Sequence, residues 1–312
     1  MYISSSTGSI IKSFGIKEGY RILREAGFEA IDWNLQLDWN IGALQKATSF
    51  EGMCVFDQPV PPDSELFAEE LAIIRENGLV IGQAHSMAPA YVPGRRDIMD
   101  YSIRVYNNLI HFLDAVGCQS LIIHGINMDV KETDMSLEDY YNTNLYLYES
   151  LFPSLRDTKN IKVCIENVHY NCNGRGHGYL YGSCADPSEI VTLVDTLNER
   201  FGDKRFGLCL DVGHMTLLCG NPRFYLPTIG DRVIALHIHD NCQESDRHLM
   251  PYTGYTDWEE LCRELKAVGY KGNVNFECHS QITPHRLPQE LVPAFMRALA
   301  RIGVYFRDLM EA

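Results

Sequence analysis

A repeated junction between helix and strand constrains the fold of this chain more than any other feature of its sequence. Four helix-like stretches end in a glycine and lead directly into an apolar, β-branched run; these glycines are Gly27, Gly78, Gly117 and Gly269. Glycine just past a helix supplies the left-handed residue that ends it, and the run that follows is typical of a buried strand. The sequence therefore predicts alternating helices and strands, an arrangement that calls for a parallel sheet.

Further runs of the same character complete a set of eight candidate strands. They span residues 2–6, 161–168, 206–214 and 233–240. Eight alternations of strand and helix close a barrel, whereas an open doubly wound sheet normally carries a glycine fingerprint after its first strand, and Thr7-Gly8-Ser9 is not one. No low-complexity linker divides the chain. We predict an α/β fold in which residues 1–312 form a single (β/α)₈ (TIM) barrel domain.

Charge and hydropathy argue against two classes of partner. The chain has 27 Lys and Arg against 41 Asp and Glu, a formal charge of −14, which disfavours a nucleic-acid partner because phosphates need clustered cations. No apolar run approaches the roughly 18 residues of a membrane span, and the N-terminus lacks the features of a secretory signal. The ten cysteines form no Cys-x-x-Cys pair, so we expect reduced thiols and a cytoplasmic protein.

Polar side chains gather at the carboxyl ends of the predicted strands, where a TIM barrel builds its active site. They are Asp32, His85, His124, Glu166, Asp211, His237 and Glu277, with His214 just beyond Asp211. Alternation along a strand turns His237 and His239 inward, and it places the small residues Cys164 and Cys209 beneath inward carboxylates. Such a layer fits a divalent cation, either Mn²⁺, Zn²⁺, Mg²⁺ or Fe²⁺. Internal ion pairs are the alternative explanation.

Several motifs carry a resemblance to a known family. They are IENVHYN, CLDVGHM, LHIHDN, DRHLMPYTGYTDW and NFECH, and they resemble the sugar phosphate isomerase/epimerase family of xylose isomerase-like TIM barrels, within the AP endonuclease family 2 superfamily. The resemblance implies a metal-dependent isomerase or epimerase that acts on a sugar, polyol or sugar derivative by proton abstraction next to a carbonyl. A lyase variant of the same chemistry belongs to this superfamily. The resemblance also implies one divalent metal on Glu166, Asp211, His237 and Glu277, with the two glutamates as catalytic acid and base.

The same resemblance suggests how a small, sugar-like substrate is held. The expected substrate-binding residues are His85, His124, His214, Arg247, His248 and Trp33. Trp33 and Trp39 either stack on a sugar ring or pack the mouth of the barrel. The chain departs from the ketose 3-epimerases after the metal histidine, where it has Asp240-Asn241 and no arginine before Arg247. No phosphate cradle is recognisable after the last two strands, which favours an unphosphorylated substrate. Acidic barrels of this family often pair, so a homo-oligomer is expected.

A second resemblance, to endonuclease IV, implies a trinuclear zinc phosphoesterase. Its three zinc ions would use the four residues already named and five more: His85, His124, His214, Asp246 and His248. All nine ligand types are present in order, including the Asp-Arg-His spacing at residues 246–248. The net charge of −14 is poorly suited to gripping a phosphate backbone. We therefore rank this function second.

Overall fold

Eight parallel strands form the centre of the protein. The computed structural model describes residues 1–35, 40–126, 135–171, 179–180, 184–218, 220–242, 245–283 and 285–312. The strands are β1 Ile3–Ser6, β2 Ala30–Asn34, β3 Val80–His85, β4 Ser120–His124, β5 Lys162–Glu166, β6 Phe206–Asp211, β7 Val233–His237 and β8 Val274–Phe276. Each pairs in parallel with the next one in this series from β1 to β7, and β8 pairs with β1. A parallel bridge between Ile238 and Phe276 closes the ring between β7 and β8. The predicted TIM barrel is confirmed.

Helices follow the strands around the barrel. The α-helices are α1 Gly8–Ala26, α2 Ile41–Lys46, α3 Glu65–Glu76, α4 Arg96–Ala115, α5 Leu137–Glu149, α6 Phe152–Asp157, α7 Pro187–Phe201, α8 Val212–Leu217, α9 Pro222–Ile229, α10 Trp258–Ala267 and α11 Val292–Glu311. Short 3₁₀ turns span Val55–Asp57, Gly230–Arg232, His279–Ile282 and Gln289–Leu291, and a two-residue hairpin pairs Tyr170–Asn171 with Tyr179–Leu180. None of the helices in the described ranges is long and apolar enough to cross a membrane.

Local signals in the sequence explain where these elements begin and end. The Asp186 side chain accepts hydrogen bonds from Ser188 N–H and Glu189 N–H, so it caps α7 as its sequence predicts. Gly27 adopts the left-handed conformation directly after α1, with φ of 105°. Three strands end earlier than the apolar runs that predicted them. β5, β6 and β7 stop before residues 168, 214 and 240, the last residues of those runs. At β6 the cause is Asp211, which caps α8 by accepting the His214 N–H at 2.6 Å.

Two apolar layers lie on opposite faces of the barrel strands. The larger one fills the space between strands and helices, and it includes Leu236, Ile238, Val274 and Phe276. A small separate cluster lies inside the barrel, formed by Ile122, Cys164, Cys209 and Ala235. Each of these four stands two residues before a polar side chain at a strand end. The inward and outward faces predicted from alternation are therefore confirmed, and the eight cysteines whose state the structure describes are free thiols.

Trp33 belongs to the outer layer, and the expectation that it binds substrate is wrong. Its side chain is fully buried, packs against the rings of Phe67 and Phe112, and donates its indole N–H to Glu70 at 3.0 Å. The reason is strand alternation, because the neighbouring Asp32 occupies the inward face of β2. Trp39 lies outside the described residues.

Candidate metal centre at the barrel mouth

Three carboxylates surround one imidazole nitrogen at the carboxyl end of the barrel. His237 Nδ1 lies 3.1 Å from Glu166 Oε2, 3.3 Å from Glu277 Oε2 and 4.0 Å from Asp211 Oδ2. These four residues, which we name the inner cluster, are all buried, and His237 and Asp211 expose none of their surface. They come from β5, β6, β7 and the residue after β8, so closure of the barrel brings them together.

Two further histidines face the same carboxylates from β3 and β4. His124 Nε2 lies 3.1 Å from Glu166 Oε2 and 3.0 Å from His85 Nε2. His85 Nδ1 lies 3.7 Å from Glu277 Oε1, and its ring stacks on that of His237 with a centroid distance of 4.8 Å. Both glutamates are thus flanked by imidazoles on more than one side, which leaves several nitrogen and oxygen atoms directed at a common region.

A second group, which we name the outer cluster, consists of Asp246, His214 and His248. Asp246 Oδ2 lies 2.9 Å from His248 Nε2 and 3.5 Å from His214 Nε2. The His169 ring is adjacent to that of His214, at a centroid distance of 4.5 Å. The outer cluster comes from α8 and from the segment after β7 rather than from barrel strands. Two of its members keep a modest exposure, 22% for the Asp246 side chain and 14% for that of His248, whereas His214 is buried.

Backbone carbonyls fix the ring orientation of both histidines in the outer cluster. His214 Nδ1 lies 2.8 Å from the carbonyl oxygen of Asn167, and His248 Nδ1 lies 2.8 Å from that of Glu277. A carbonyl can only accept, so each ring carries its proton on Nδ1 there. Each Nε2 is then left to face Asp246. Nδ1-protonated imidazoles of this kind are the form that binds a metal through Nε2.

His239 connects the two clusters and has no role assigned by the sequence beyond its inward direction. Its Nε2 lies 3.0 Å from Asp211 Oδ2, and its ring stacks on His248 with a centroid distance of 4.0 Å. Gly213 makes room for it, because a Cβ at this position would overlap the His239 ring. The glycine in the Asp-Val-Gly-His motif is therefore a steric requirement of the site.

The electrostatics of the site oppose the ordinary effect of burial. Burial raises the pKa of Glu166, but the facing imidazoles of His237 and His124 outweigh it and hold the pKa well below its usual range. Burial also opposes the charged form of His214 and of His248. Their carboxylate neighbours prevail, mainly Asp211 for His214 and Asp246 for His248, and the two pKa values rise to about 10 and about 9.

The donor set fits a divalent cation. Both ring nitrogens of His237 and the Oε2 atom of Glu166 are buried without an aligned hydrogen bond, although charged atoms lie 3.1 Å away. Unsatisfied buried groups of this kind are rare and often mark an ion site. Groups of ligand atoms close enough to share one ion include His85, His124 and Glu166, and separately Asp211, His214 and His239. Mixed imidazole and carboxylate ligands suit Zn²⁺, Mn²⁺ or Fe²⁺.

A cavity of about 540 Å³ opens beside the two clusters. Its wall combines apolar and aromatic side chains with imidazoles and one carboxylate: Ile41, Ala88, Pro89, Tyr91, Gly125, Ile126 and Val168, then His124, His169, His214 and Asp246. None of these lining residues is Lys or Arg. The cavity therefore suits a small polar molecule with an apolar face better than a phosphate ester.

The structure brings together nine of the residues that the sequence predicts for the site. They are His85, His124, Glu166, Asp211, His214, His237, Asp246, His248 and Glu277. Arg247 differs, since its side chain is exposed and donates from Nε to Ser245 Oγ at 3.0 Å, outside the lining of the cavity. The sequence assigns no specific role to two residues near the site: His169 lies beside His214, and Asp32, one of the polar residues at the strand ends, lies beneath His237.

The fold and this site define a TIM barrel whose strands carry, at their carboxyl ends, side chains of the types that bind a cation. Residues 20–299 match the family model of xylose isomerase-like TIM barrels, and the chain belongs to that family. The uncharacterized protein y4fM of Sinorhizobium fredii is 26% identical over 279 residues, covering 84% of this chain and 81% of that protein.

Solved structures show the same fold. The 3-keto-D-glucoside 4-epimerase of E. coli superimposes with a TM-score of 0.67 at 16% identity, covering 99% of each chain. The D-psicose 3-epimerase of Clostridium cellulolyticum H10, solved with D-tagatose, gives a TM-score of 0.69 at 13% identity over 98% of this chain and 99% of its own. At these identities the likeness establishes the architecture.

Proposed function

We propose that this protein is a divalent-metal-dependent isomerase or epimerase that acts on a sugar, polyol or sugar derivative. The observation that carries the proposal is the approach of two glutamates to one imidazole nitrogen. Glu166 at the end of β5 and Glu277 just after β8 place their Oε2 atoms 3.1 and 3.3 Å from His237 Nδ1. The two epimerases named above share the fold, and both are named for a sugar or sugar derivative.

The chemistry divides among the residues of the inner cluster. A divalent metal, when bound, polarises a substrate carbonyl and acidifies the adjacent C–H. Asp211 and His237 would hold that ion together with the two glutamates. Glu166 and Glu277, which approach His237 Nδ1 from different parts of the barrel mouth, are suited to accept the proton from carbon and to return one. Expulsion of a β-substituent in place of proton return would give the lyase variant.

The walls of the cavity indicate the kind of substrate. The imidazoles of His124 and His214 offer hydrogen bonds to hydroxyl groups, and Ile126 and Val168 supply an apolar surface. No lysine or arginine lines this described cavity, which supports an unphosphorylated substrate. His85 Nδ1 lies 3.7 Å from Glu277 Oε1 and would orient this glutamate towards the substrate.

Exchange of a carbon-bound proton with solvent tests the proposal directly. The Mn²⁺-loaded protein is incubated in D₂O with D-fructose, D-tagatose and D-psicose in turn, and deuterium next to the carbonyl is measured by NMR. Glu166→Gln and Glu277→Gln should each slow exchange by about 10²- to 10⁴-fold, the contribution typical of a general acid or base. Glu70→Gln is the matched control, because Glu70 bonds Tyr20 and Trp33 away from the site. Full exchange in either site variant would refute the acid–base pair.

The convergence of nine ligand-type residues favours a second candidate, a trinuclear zinc phosphoesterase. The outer cluster and the His85–His124 pair would each hold an additional ion. Elemental analysis of protein purified without chelator separates the two functions. One metal per chain supports the isomerase, whereas three zinc ions per chain, with cleavage of abasic DNA, would establish the phosphoesterase. His124→Ala should lower the zinc content only in the trinuclear case.

A further inference from the structure

The interior of the barrel below the candidate metal centre is divided into an apolar and a polar half. Strands β4 to β7 contribute the apolar cluster of Ile122, Cys164, Cys209 and Ala235. Strands β2, β3 and β8 contribute Asp32, Gln83 and Asn275, each at most 1% exposed. A buried carboxylate is costly unless it has specific partners, so the position of Asp32 requires an explanation.

Asp32 directs one oxygen at three nitrogen atoms. Its Oδ2 accepts the side-chain N–H of Gln83 at 3.1 Å and that of Asn275 at 3.1 Å. The third nitrogen is Nε2 of His237, also at 3.1 Å, which approaches obliquely at ion-pair distance. The two amides can only donate through these groups, so they hold Asp32 as an acceptor and orient it towards the imidazole.

His237 is thus placed between Asp32 below and the carboxylates of the inner cluster above. Nε2 faces Asp32, whereas Nδ1 faces Glu166 and Glu277. A proton on Nδ1 occupies the region where a cation would bind, and a cation would displace it. A proton on Nε2 lies next to Asp32 and does not compete with the cation.

We propose that Asp32 is a positioning residue that keeps the Nε2 proton of His237 in place and leaves the Nδ1 lone pair to the metal. This inference rests on the metal site of the proposed function and deepens it. A carboxylate behind a ligating histidine fixes its tautomer and raises its basicity, and loss of such a partner typically weakens metal binding about 10- to 100-fold. Asp32 does this from β2, a strand that supplies none of the four inner-cluster residues.

Metal affinity in a double-mutant cycle tests the inference. Co²⁺ alone is titrated into the metal-free full chain, for the wild type, Asp32→Asn, His237→Gln and the double variant, and the dissociation constant is measured by calorimetry. Asp32→Asn should weaken binding about 10- to 100-fold in the wild-type background. In the His237→Gln background the same change should have less than about a 3-fold effect, because Asp32 acts through His237.

The controls separate this role from structural damage and from direct ligation. Asp57→Asn removes another buried carboxylate, one that accepts the backbone N–H of Gly52 outside the site, and it should leave Co²⁺ affinity unchanged. Equal losses from Asp32→Asn in both backgrounds would make Asp32 a ligand and overturn the inference. If Asp32→Asn does not fold, Gln83→Met is the second variant, because it removes one of the two amides that donate to Asp32. Gln83→Met should weaken Co²⁺ binding roughly 3- to 10-fold. Unchanged Co²⁺ affinity in this variant would overturn the inference.

The outcome for the wild type distinguishes this inference from the proposed function. If the wild type binds no Co²⁺, both the metal-dependent function and the role of Asp32 are refuted. If the wild type binds Co²⁺ and exchanges substrate protons, and Asp32→Asn binds Co²⁺ with the same affinity as the wild type, only the positioning role is refuted.

Discussion

The inner and outer clusters both combine carboxylates with imidazoles, but different elements of the fold hold them in place. The inner cluster stands on barrel strands or directly after them, and its residues are almost completely buried. The outer cluster is held by the one-and-a-half-turn helix α8 and by the segment that follows β7, and its Asp246 remains partly exposed. Strand register therefore fixes the inner cluster, whereas the packing of α8 and of the segment after β7 fixes the outer cluster.

This difference has a functional consequence. Groups on rigid strands keep the geometry that a catalytic metal needs, whereas groups on loops can vary between relatives without disturbing the barrel. We accordingly assign the metal of the proposed reaction to the inner cluster and substrate contacts to the outer one. The predictions below test that division, beginning with the largest expected effect.

Replacing one histidine in each cluster should separate their roles. His237→Gln removes an inner ligand, and we expect Mn²⁺ binding to weaken more than about 100-fold, beyond the loss typical of an outer-shell partner. His248→Gln should leave the first Mn²⁺ equivalent within about 3-fold of wild type. Calorimetric titration of the metal-free chain measures both. Equal losses would show that the two clusters form one shared site.

The stability of the segment after β7, which holds part of the outer cluster, should depend on the buried carboxylate of Asp240. This side chain accepts the Gly254 N–H at 2.9 Å, the Thr256 hydroxyl at 3.0 Å and the indole N–H of Trp258 at 3.2 Å. Asp240→Asn should lower the free energy of unfolding by about 1–3 kcal/mol in urea denaturation, because buried donors lose their acceptor. Mn²⁺ affinity of the inner cluster should be unchanged.

A matched control lies in the same segment. Asp257→Asn alters the N-cap of α10, where Asn and Asp are nearly equivalent, so it should leave stability unchanged. If Asp240→Asn also abolishes Mn²⁺ binding, the segment supports the inner cluster as well, and the proposed division fails.

The stability of the metal-free chain should fall as the pH rises. The pKa of His248 is raised from 6.5 to about 9 in the folded protein, so its contribution is fully present below pH 6.5 and is lost as the pH passes 9. The shift corresponds to at most about 3 kcal/mol. Urea denaturation in chelator between pH 6 and 10 should show this decline, and His248→Gln should make it shallower, while His214, whose pKa is raised to about 10, contributes the rest. An equally steep decline in the variant would contradict the assignment.

The barrel could be predicted from the sequence because the signals that begin and end its helices and strands act between neighbouring residues. Gly27 ends a helix by its conformational freedom, and Asp186 caps one by accepting nearby N–H groups. Alternation then assigned faces to residues such as His237 and Glu277. The same rule would have placed Trp33 outside the barrel, since Asp32 takes the inward position, but the aromatic character of Trp33 suggested a sugar contact instead. The prediction for Trp33 was wrong because it rested on the residue type and not on the position of Trp33 in the strand.

Contacts across the barrel could not be predicted in this way. Asp32 and Asn275 meet at 3.1 Å although 243 residues separate them, and nothing local to either position indicates the other. The approach of His239 to Asp211 likewise depends on the space beside Gly213 and on the register of β6 with β7.

The sequence by itself determined the alternation of helices and strands, the inward face of each strand and the residue types at the barrel mouth. These follow from backbone preferences and from the period of a strand, which act over a few residues. Only the tertiary structure decided which nitrogen of His237 faces Asp32 and which faces Glu166 and Glu277. That choice depends on how eight strands from the whole chain close into a ring, because closure sets the distance between atoms that the sequence keeps far apart.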